Sequence, residues 1–331
     1  MIPWVKKILL LFITASFASL ISIIAILWTY SNRLPDYKFL MSYKPPVSSK
    51  LYSGGGELVS DFSTEKRIFV PYNSIPSKVI NSFLSAEDKN FFTHPGVDAK
   101  GVIRAVINNI SNVIYSKRLE GASTITQQVA KNFLLTNEVS LKRKIKEAIL
   151  AFRIEKAYTK KRILELYLNE IYLGQGTYGV ASASLEYFNK SVKELNYNEA
   201  ALLAALPKAP SKYNPYKSKS LAKTRRNLVL NNLMENGYIT NKEFKQLEQK
   251  EVILNKRKIL LLKEAKSYTE EIRRIVKTDY GFKKLYSEGL SITSPLNGKY
   301  QIAALNALRY GIESYDKRNG WRGPITNTKN N

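Results

Sequence analysis

Cysteine is absent from this chain, which excludes disulfides, thiolate nucleophiles and Cys-based zinc sites together. Histidine occurs once, at His94, so a Ser-His-Asp triad could be assembled only around that residue. It stands in Thr93-His94-Pro95-Gly96, a turn-forming sequence that suits a hydrogen-bonding structural role better than a catalytic one. Acidic residues are scarce: 27 Asp plus Glu face 52 Lys plus Arg, a formal charge of +25. Such an excess points to a polyanion or an anionic surface as partner.

What is present is first a charge-free run over residues 8–30. As a helix rising ~1.5 Å per residue it exceeds the ~30 Å of a bilayer core, longer than the ~7–15 apolar residues of a cleaved signal peptide. Lys6 and Lys7 precede it, so the positive-inside bias leaves residues 1–7 in the cytoplasm and everything after Arg33 across the membrane, with Trp28 and Tyr30 suited to the outer interface. Nucleic acid is the default partner of a soluble basic protein. A domain beyond such an anchor meets lipid headgroups and lipid phosphates instead.

The 331 residues suffice for roughly two domains at ~100–200 residues each. Residues 31–69 read as a proline-bounded, Tyr-rich stalk over 35–46, then short strands around Gly54-Gly55-Gly56. Residues 70–250 are helical in pattern. Apolar residues recur at helical spacing at Val102, Ile103, Val106, Ile107 and Ile110, at Leu141, Ile145, Ile149 and Phe152, and at Ile163, Leu164, Leu166, Tyr167 and Ile171. Pro207, Pro210 and Pro215 interrupt the helices with a rigid loop. Residues 251–331 are expected to hold a Lys-rich helix, a strand over 289–295, a helix to Leu308 and a final loop.

Five blocks carry candidate chemistry. In Ala86-Glu87-Asp88-Lys89-Asn90-Phe91-Phe92 a carboxyl beside aromatic rings would be desolvated and its pKa raised toward the range useful for proton transfer, although a helix-end carboxylate reads the same way. Gly121-Ala122-Ser123-Thr124-Ile125-Thr126-Gln127-Gln128 enters a helix with capping hydroxyls and paired amides, a start able to hold an anion or sugar hydroxyls. Arg143-Lys144-Ile145-Lys146-Glu147 puts Arg143 and Glu147 four apart, either a solvated ion pair or the cationic face that a diphosphate leaving group needs. Residues 160–169 and 225–230 read as packing helices.

In this order, the five blocks closely resemble the family 51 glycosyltransferases, the peptidoglycan transglycosylase domain of class A penicillin-binding proteins. The pattern Glu-Asp-x-x-Phe-x-x-His-x-Gly falls on 87–96, Gly-x-Ser-Thr-Ile-Thr-Gln-Gln on 121–128, Arg-Lys-x-x-Glu on 143–147, Lys-x-x-Ile-Leu-Glu-x-Tyr-Leu-Asn on 160–169 and Arg-Arg-x-x-Val-Leu on 225–230. The resemblance implies a mainly α, lysozyme-like glycosyltransferase domain behind a single transmembrane helix, followed by a small partial α+β connector. It implies polymerisation of lipid II into glycan strands on the periplasmic side of the bacterial inner membrane. Glu87 would be the acid/base and Glu147 the support of the diphosphate end. Asp88, Phe91, Arg104, Ser123, Thr124, Gln127, Gln128, Lys131, Arg143, Lys144, Tyr187 and Asn214 would contact substrate. No tightly bound cofactor is expected, with Mg²⁺ at most accompanying the substrate diphosphate. Lipid II, the glycan strand, the membrane and a separate transpeptidase with other wall-synthesis proteins are the implied partners, and nucleic acid is not.

Two departures stand out. Many members carry Arg where this chain has Val139, a lost phosphate contact for which Lys142 or Lys144 would compensate. Ser-x-x-Lys spacings occur at 63–66, 220–223 and 314–317, but no Lys-Thr-Gly accompanies them, so no penicillin-sensitive transpeptidase is expected and the chain reads as a class A protein truncated before that domain. Competing readings are a lytic muramidase, distinguished by its shortened products, and an inactive anchored remnant that binds lipid II or glycan.

Overall fold

The structure, a computed structural model, describes residues 3–31, 34–41, 43, 45–62, 65–114, 121, 123–136, 138, 140–255 and 263–320. Val139, Arg33 and the terminal loop from residue 321 lie outside the described residues. The chain divides into a helical unit, residues 1–44 and 67–257, and a smaller unit, residues 45–66 and 258–331.

The chain begins with α1 (Pro3–Ser31), whose last residue accepts hydrogen bonds from Arg153, at the backbone oxygen at 3.2 Å and at the hydroxyl. Among the described residues no helix is long and apolar enough to cross a membrane; the longest described run of α1 side chains covers residues 10–18. Strands β1 (Ser49–Tyr52), β2 (Leu58–Phe62) and β3 (Lys66–Arg67) follow. The expected stalk is corrected. Leu40 is fully buried in the helical core, and the Tyr43 hydroxyl donates to Glu170 at 3.0 Å. Its apolar side chains gain more from burial than a solvated stalk would allow.

The helical unit continues through α2 (Ser77–Glu87), α3 (Ala99–Ile114), α4 (Ile125–Leu134), α5 (Leu141–Ala157) and α6 (Lys160–Glu170). A two-residue strand β4 (Thr177–Tyr178), paired with β3, precedes α7 (Val180–Phe188), α8 (Tyr197–Ala205), α9 (Lys219–Glu235) and α10 (Asn241–Gln249). The starts are chemically marked. Ser140, Thr159 and Ser218 accept from backbone N–H groups of the first turns of α5, α6 and α9, while Thr124 and Thr240 form capping boxes with Gln127 and Glu243. Phe83, Ile125, Val129, Leu150, Ile154, Ile163, Leu164, Leu203 and Leu230 meet in one core.

Two apolar stripes do not face that core. Among the described side chains of α3 only Gly101 and Ala105 are buried, while Val102, Ile103, Val106, Ile107 and Ile110 are exposed, Ile103 to 61%. In α5 the inward face is Glu147, Leu150, Ala151 and Ile154, and Leu141 is 78% exposed. Helical periodicity identifies a face without saying what covers it.

The smaller unit is a three-stranded sheet in the order β2-β1-β5 with two helices. Helix α11 (Lys266–Ser287) breaks at Gly281, strand β5 (Ser291–Thr293) runs parallel to β1, and α12 (Gly298–Arg318) extends ten residues past the expected end at Leu308. Leu51, Val59, Phe62, Val276, Leu285 and Leu296 form its own core.

Candidate active site

Glu87 is the last residue of α2, and Asp88 terminates that helix. The Asp88 carboxylate accepts from the Ile125 backbone N–H at 3.0 Å and from His94 Nε2 at 3.0 Å, while His94 Nδ1 accepts from the Gly96 N–H at 3.1 Å. With one ring nitrogen accepting, the imidazole is the neutral tautomer that donates from Nε2. Asp88 is therefore the clamp that ties the end of α2 to the start of α4, and His94 holds its carboxylate in place. Thr124 reinforces the tie, its hydroxyl donating to the Gly96 carbonyl at 2.6 Å.

This clamp sets Gln128 on the first turn of α4 against Glu87, the amide donating to Oε2 at 2.7 Å. Burial holds the Glu87 carboxyl above its ordinary range, Asp88 adding to the effect and the Gln128 hydrogen bond, Arg225 and Lys208 opposing it. Glu87 opens onto a polar cleft of about 270 Å³, whose lining includes Ser123, Gln127, Lys131, Arg143, Lys144, Glu147, Lys208 and Arg225. A neighbouring cavity of about 70 Å³ also opens on Glu87 and is lined by Asp88, Lys89, Asp98, Arg104, Ser123 and Thr124 among others.

Across the cleft, α5 presents an ion triad. Glu147 is 1% exposed and receives Arg143 on one oxygen and Lys144 on the other, the latter at 2.7 Å, and Lys144 also donates to Ser123 Oγ at 2.6 Å. Glu147 is thus no solvated surface pair: it organises two cations that line the cleft, Arg143 also donating from Nε to the Glu138 carbonyl. Lys142 lies outside the lining and Lys144 within it.

Three expected contact residues are placed elsewhere. Phe91 is fully buried beneath the ammonium of Lys160, 4.5 Å from its ring centroid. Tyr187 is buried, its hydroxyl donating to the Leu173 carbonyl at 2.8 Å and its ring stacked on Tyr216; burial raises its pKa. Asn214 is buried and accepts from the Tyr216 N–H at 2.9 Å. None of the three lines either cavity, because core packing and loop hydrogen bonds occupy their side chains. Conversely, the motif readings missed Lys208 and Arg225 as lining. The pair Arg225-Arg226 splits: Arg226 turns inward to the carbonyls of Glu248 and Lys250, at 3.0 and 2.7 Å, and Arg225 turns to the cleft. Adjacent helical residues point about 100° apart, the one available signal.

Among the described residues no three His, Asp or Glu side chains converge as a metal site. Glu147 is engaged by Arg143 and Lys144 and so offers no free carboxylate oxygen to a metal.

A helical domain with a desolvated carboxyl facing a cation-lined cleft suits proton transfer beside a developing negative charge. The sequence profile described as Transglycosylase matches residues 55–234, and the chain belongs to that family. The chain is 48% identical over 303 residues to penicillin-binding protein 1A of Rickettsia prowazekii, covering 91% of this chain and 38% of that protein. To penicillin-binding protein 1A of Escherichia coli it is 41% identical over 293 residues, covering 88% and 34%. A crystal structure of penicillin-binding protein 1A from Haemophilus influenzae superposes with a TM-score of 0.55 at 26% identity, over 87% of this chain and 33% of that one. The chain thus spans little more than a third of the length of these relatives.

Proposed function

We propose that this chain is a peptidoglycan glycosyltransferase that polymerises lipid II. The observation that carries the reading is Glu87, desolvated, oriented by Gln128, and facing a wall of Lys131, Arg143 and Lys144 across one cleft. The ionised Glu87 takes the proton from the acceptor sugar hydroxyl, whose oxygen attacks the anomeric carbon of the donor. The bond from that carbon to the lipid diphosphate breaks with its electron pair on the diphosphate, and configuration inverts. Lys131 and the Glu147-organised pair Arg143 and Lys144 stabilise the negative charge that develops on the leaving group. Ser123, Gln127 and Arg104 supply polar contacts along the two cavities.

Helix α1 is the single anchor of this reading, with Lys6 and Lys7 on the cytoplasmic side and both units on the periplasmic side of the inner membrane. The exposed apolar face of α3, flanked by Lys100 and Arg104 beside a cavity of about 320 Å³, suits contact with the bilayer surface where a lipid-linked substrate resides. Lipid II, the growing strand and the membrane are the proposed partners, with a separate transpeptidase supplying cross-links.

The test is turnover of labelled lipid II by the detergent-solubilised chain, with and without Mg²⁺, beside Glu87→Gln and a moenomycin-type inhibitor. Polymer is expected only from the uninhibited parent, with Glu87→Gln reduced by about 10²–10⁴-fold or more, the usual worth of a general base. Lipid II bound without polymer would instead assign an inactive remnant.

A further inference from the structure

The cleft holds two cations that the proposed chemistry leaves unassigned, Lys208 after α8 and Arg225 on α9. Unlike Arg143 and Lys144, which share Glu147, neither has a carboxylate partner among the described residues. Arg225 is instead held by an aromatic ring, its guanidinium carbon 5.9 Å from the centroid of Tyr213, within the range of a cation–π contact. Its Nε is buried and donates to no protein acceptor. Arg225 as a whole is half-buried, and a partly desolvated cation favours a negative charge nearby; Glu87 opens on the same cleft. We propose that Arg225 is a positioning residue for Glu87: held by Tyr213 and without a counterion of its own, it favours the ionised carboxylate that the proposed transfer requires.

The inference rests on the reading of Glu87 as the base, and the other groups around that carboxyl define what Arg225 adds. From α2 itself, Asp88 opposes ionisation, although His94 and the Ile125 N–H engage its charge. On α4, Gln128 donates a neutral hydrogen bond and Lys131 lines the cleft. The α5 group is a triad whose Glu147 offsets one of its two cations. From α6 the buried Tyr167 hydroxyl bears no charge, burial first and then Glu87 and Asp88 holding it well above its ordinary pKa. In the second cavity Lys89 and Arg104 stand beside Asp98. Arg225 and, behind it, Lys208 are the cations that act most directly against the desolvation of Glu87.

The test reads the protonation of Glu87 without requiring turnover. Carbodiimide coupling of an amine to Glu87, which needs the protonated acid, is followed against pH by peptide mass spectrometry on the full chain in detergent. The midpoint in Arg225→Met is expected to move up by roughly 0.5–1 pH unit, less than a contact ion pair would give. Arg225→Lys should lie between parent and Arg225→Met, and Lys208→Met should shift less than Arg225→Met. In polymerisation assays the acid limb of kcat should move with the same order. An unmoved coupling midpoint in Arg225→Met overturns the proposal, as does a raised KM with an unmoved acid limb, which would make Arg225 a substrate anchor. If Arg225→Met does not fold, judged by circular dichroism, unmoved midpoints in both Arg225→Lys and Lys208→Met overturn it. A moved midpoint in a chain that makes no polymer sustains the inference while refuting the glycosyltransferase reading.

Discussion

Glu87 illustrates at the residue scale how a site costs stability. Its folded pKa lies above the ordinary glutamic acid value because burial penalises the charged form. A group raised in this way contributes stability below its unfolded pKa and loses it as pH rises through the folded pKa, so at neutral pH its ionisation works against folding. Glu87→Gln, which keeps the shape and removes the charge, is therefore expected to melt above the parent at pH 8 and level with it near pH 4. Thermal unfolding by circular dichroism at the two pH values decides this, and an equal melting point at pH 8 would show that the ionised carboxylate is not strained. Glu147 sits at the other extreme, buried but satisfied by two cations. Glu147→Ala should cost about 3–5 kcal/mol, the usual penalty for breaking a buried pair, here that with Arg143, measured by denaturant unfolding. The motif pointed to both carboxylates; their burial and opposite energetic signs were invisible, because exposure is a property of what packs around a residue.

At the scale of the element, α4 carries the most consequence. Thr124 caps it, bonds the Gly96 carbonyl at 2.6 Å and so keeps Gln128 against Glu87. Thr124→Ala should lower stability by about 1–2 kcal/mol, the upper range of cap losses, and reduce turnover beyond what the lost stability explains. Urea unfolding and lipid II assays on one preparation separate the two effects. The capping residues, the helix-forming runs and the proline-bounded loop were all readable locally, since they depend on hydrogen bonds within a few residues. The apolar stripe of α3 was equally readable, yet it faces outward. Ile103→Asn with Ile107→Asn is expected to leave the unfolding free energy within about 0.5 kcal/mol of the parent, as exposed changes do, and to weaken binding to anionic vesicles. Unchanged vesicle binding in a flotation assay would remove α3 from the membrane surface.

Across the whole molecule, the charge of +25 is set against a polar cleft that itself gathers cations. Vesicle binding should therefore weaken between low and physiological salt, as surface electrostatics are screened within about 8–10 Å. The smaller unit has a core of its own, so limited proteolysis is expected to leave residues 263–320 associated with the hairpin of β1 and β2 after cleavage between the units. Mass spectrometry of the co-eluting fragments would show it, and rapid digestion of both pieces would show that the unit does not hold together.

The sequence by itself determined the helical class, the capped start of α4 and the family pattern that marks Glu87 and Glu147 as candidates, because each is written in residues close together along the chain. Only the tertiary structure decided that residues 34–41 and 43 join the helical unit, that β1 pairs with a strand some 240 residues later, and that Lys208 and Arg225 line the cleft with Glu87. It also placed Phe91, Tyr187 and Asn214 outside the linings of both cavities. These are long-range juxtapositions, fixed by which apolar surfaces bury one another, and no local propensity or spacing encodes them.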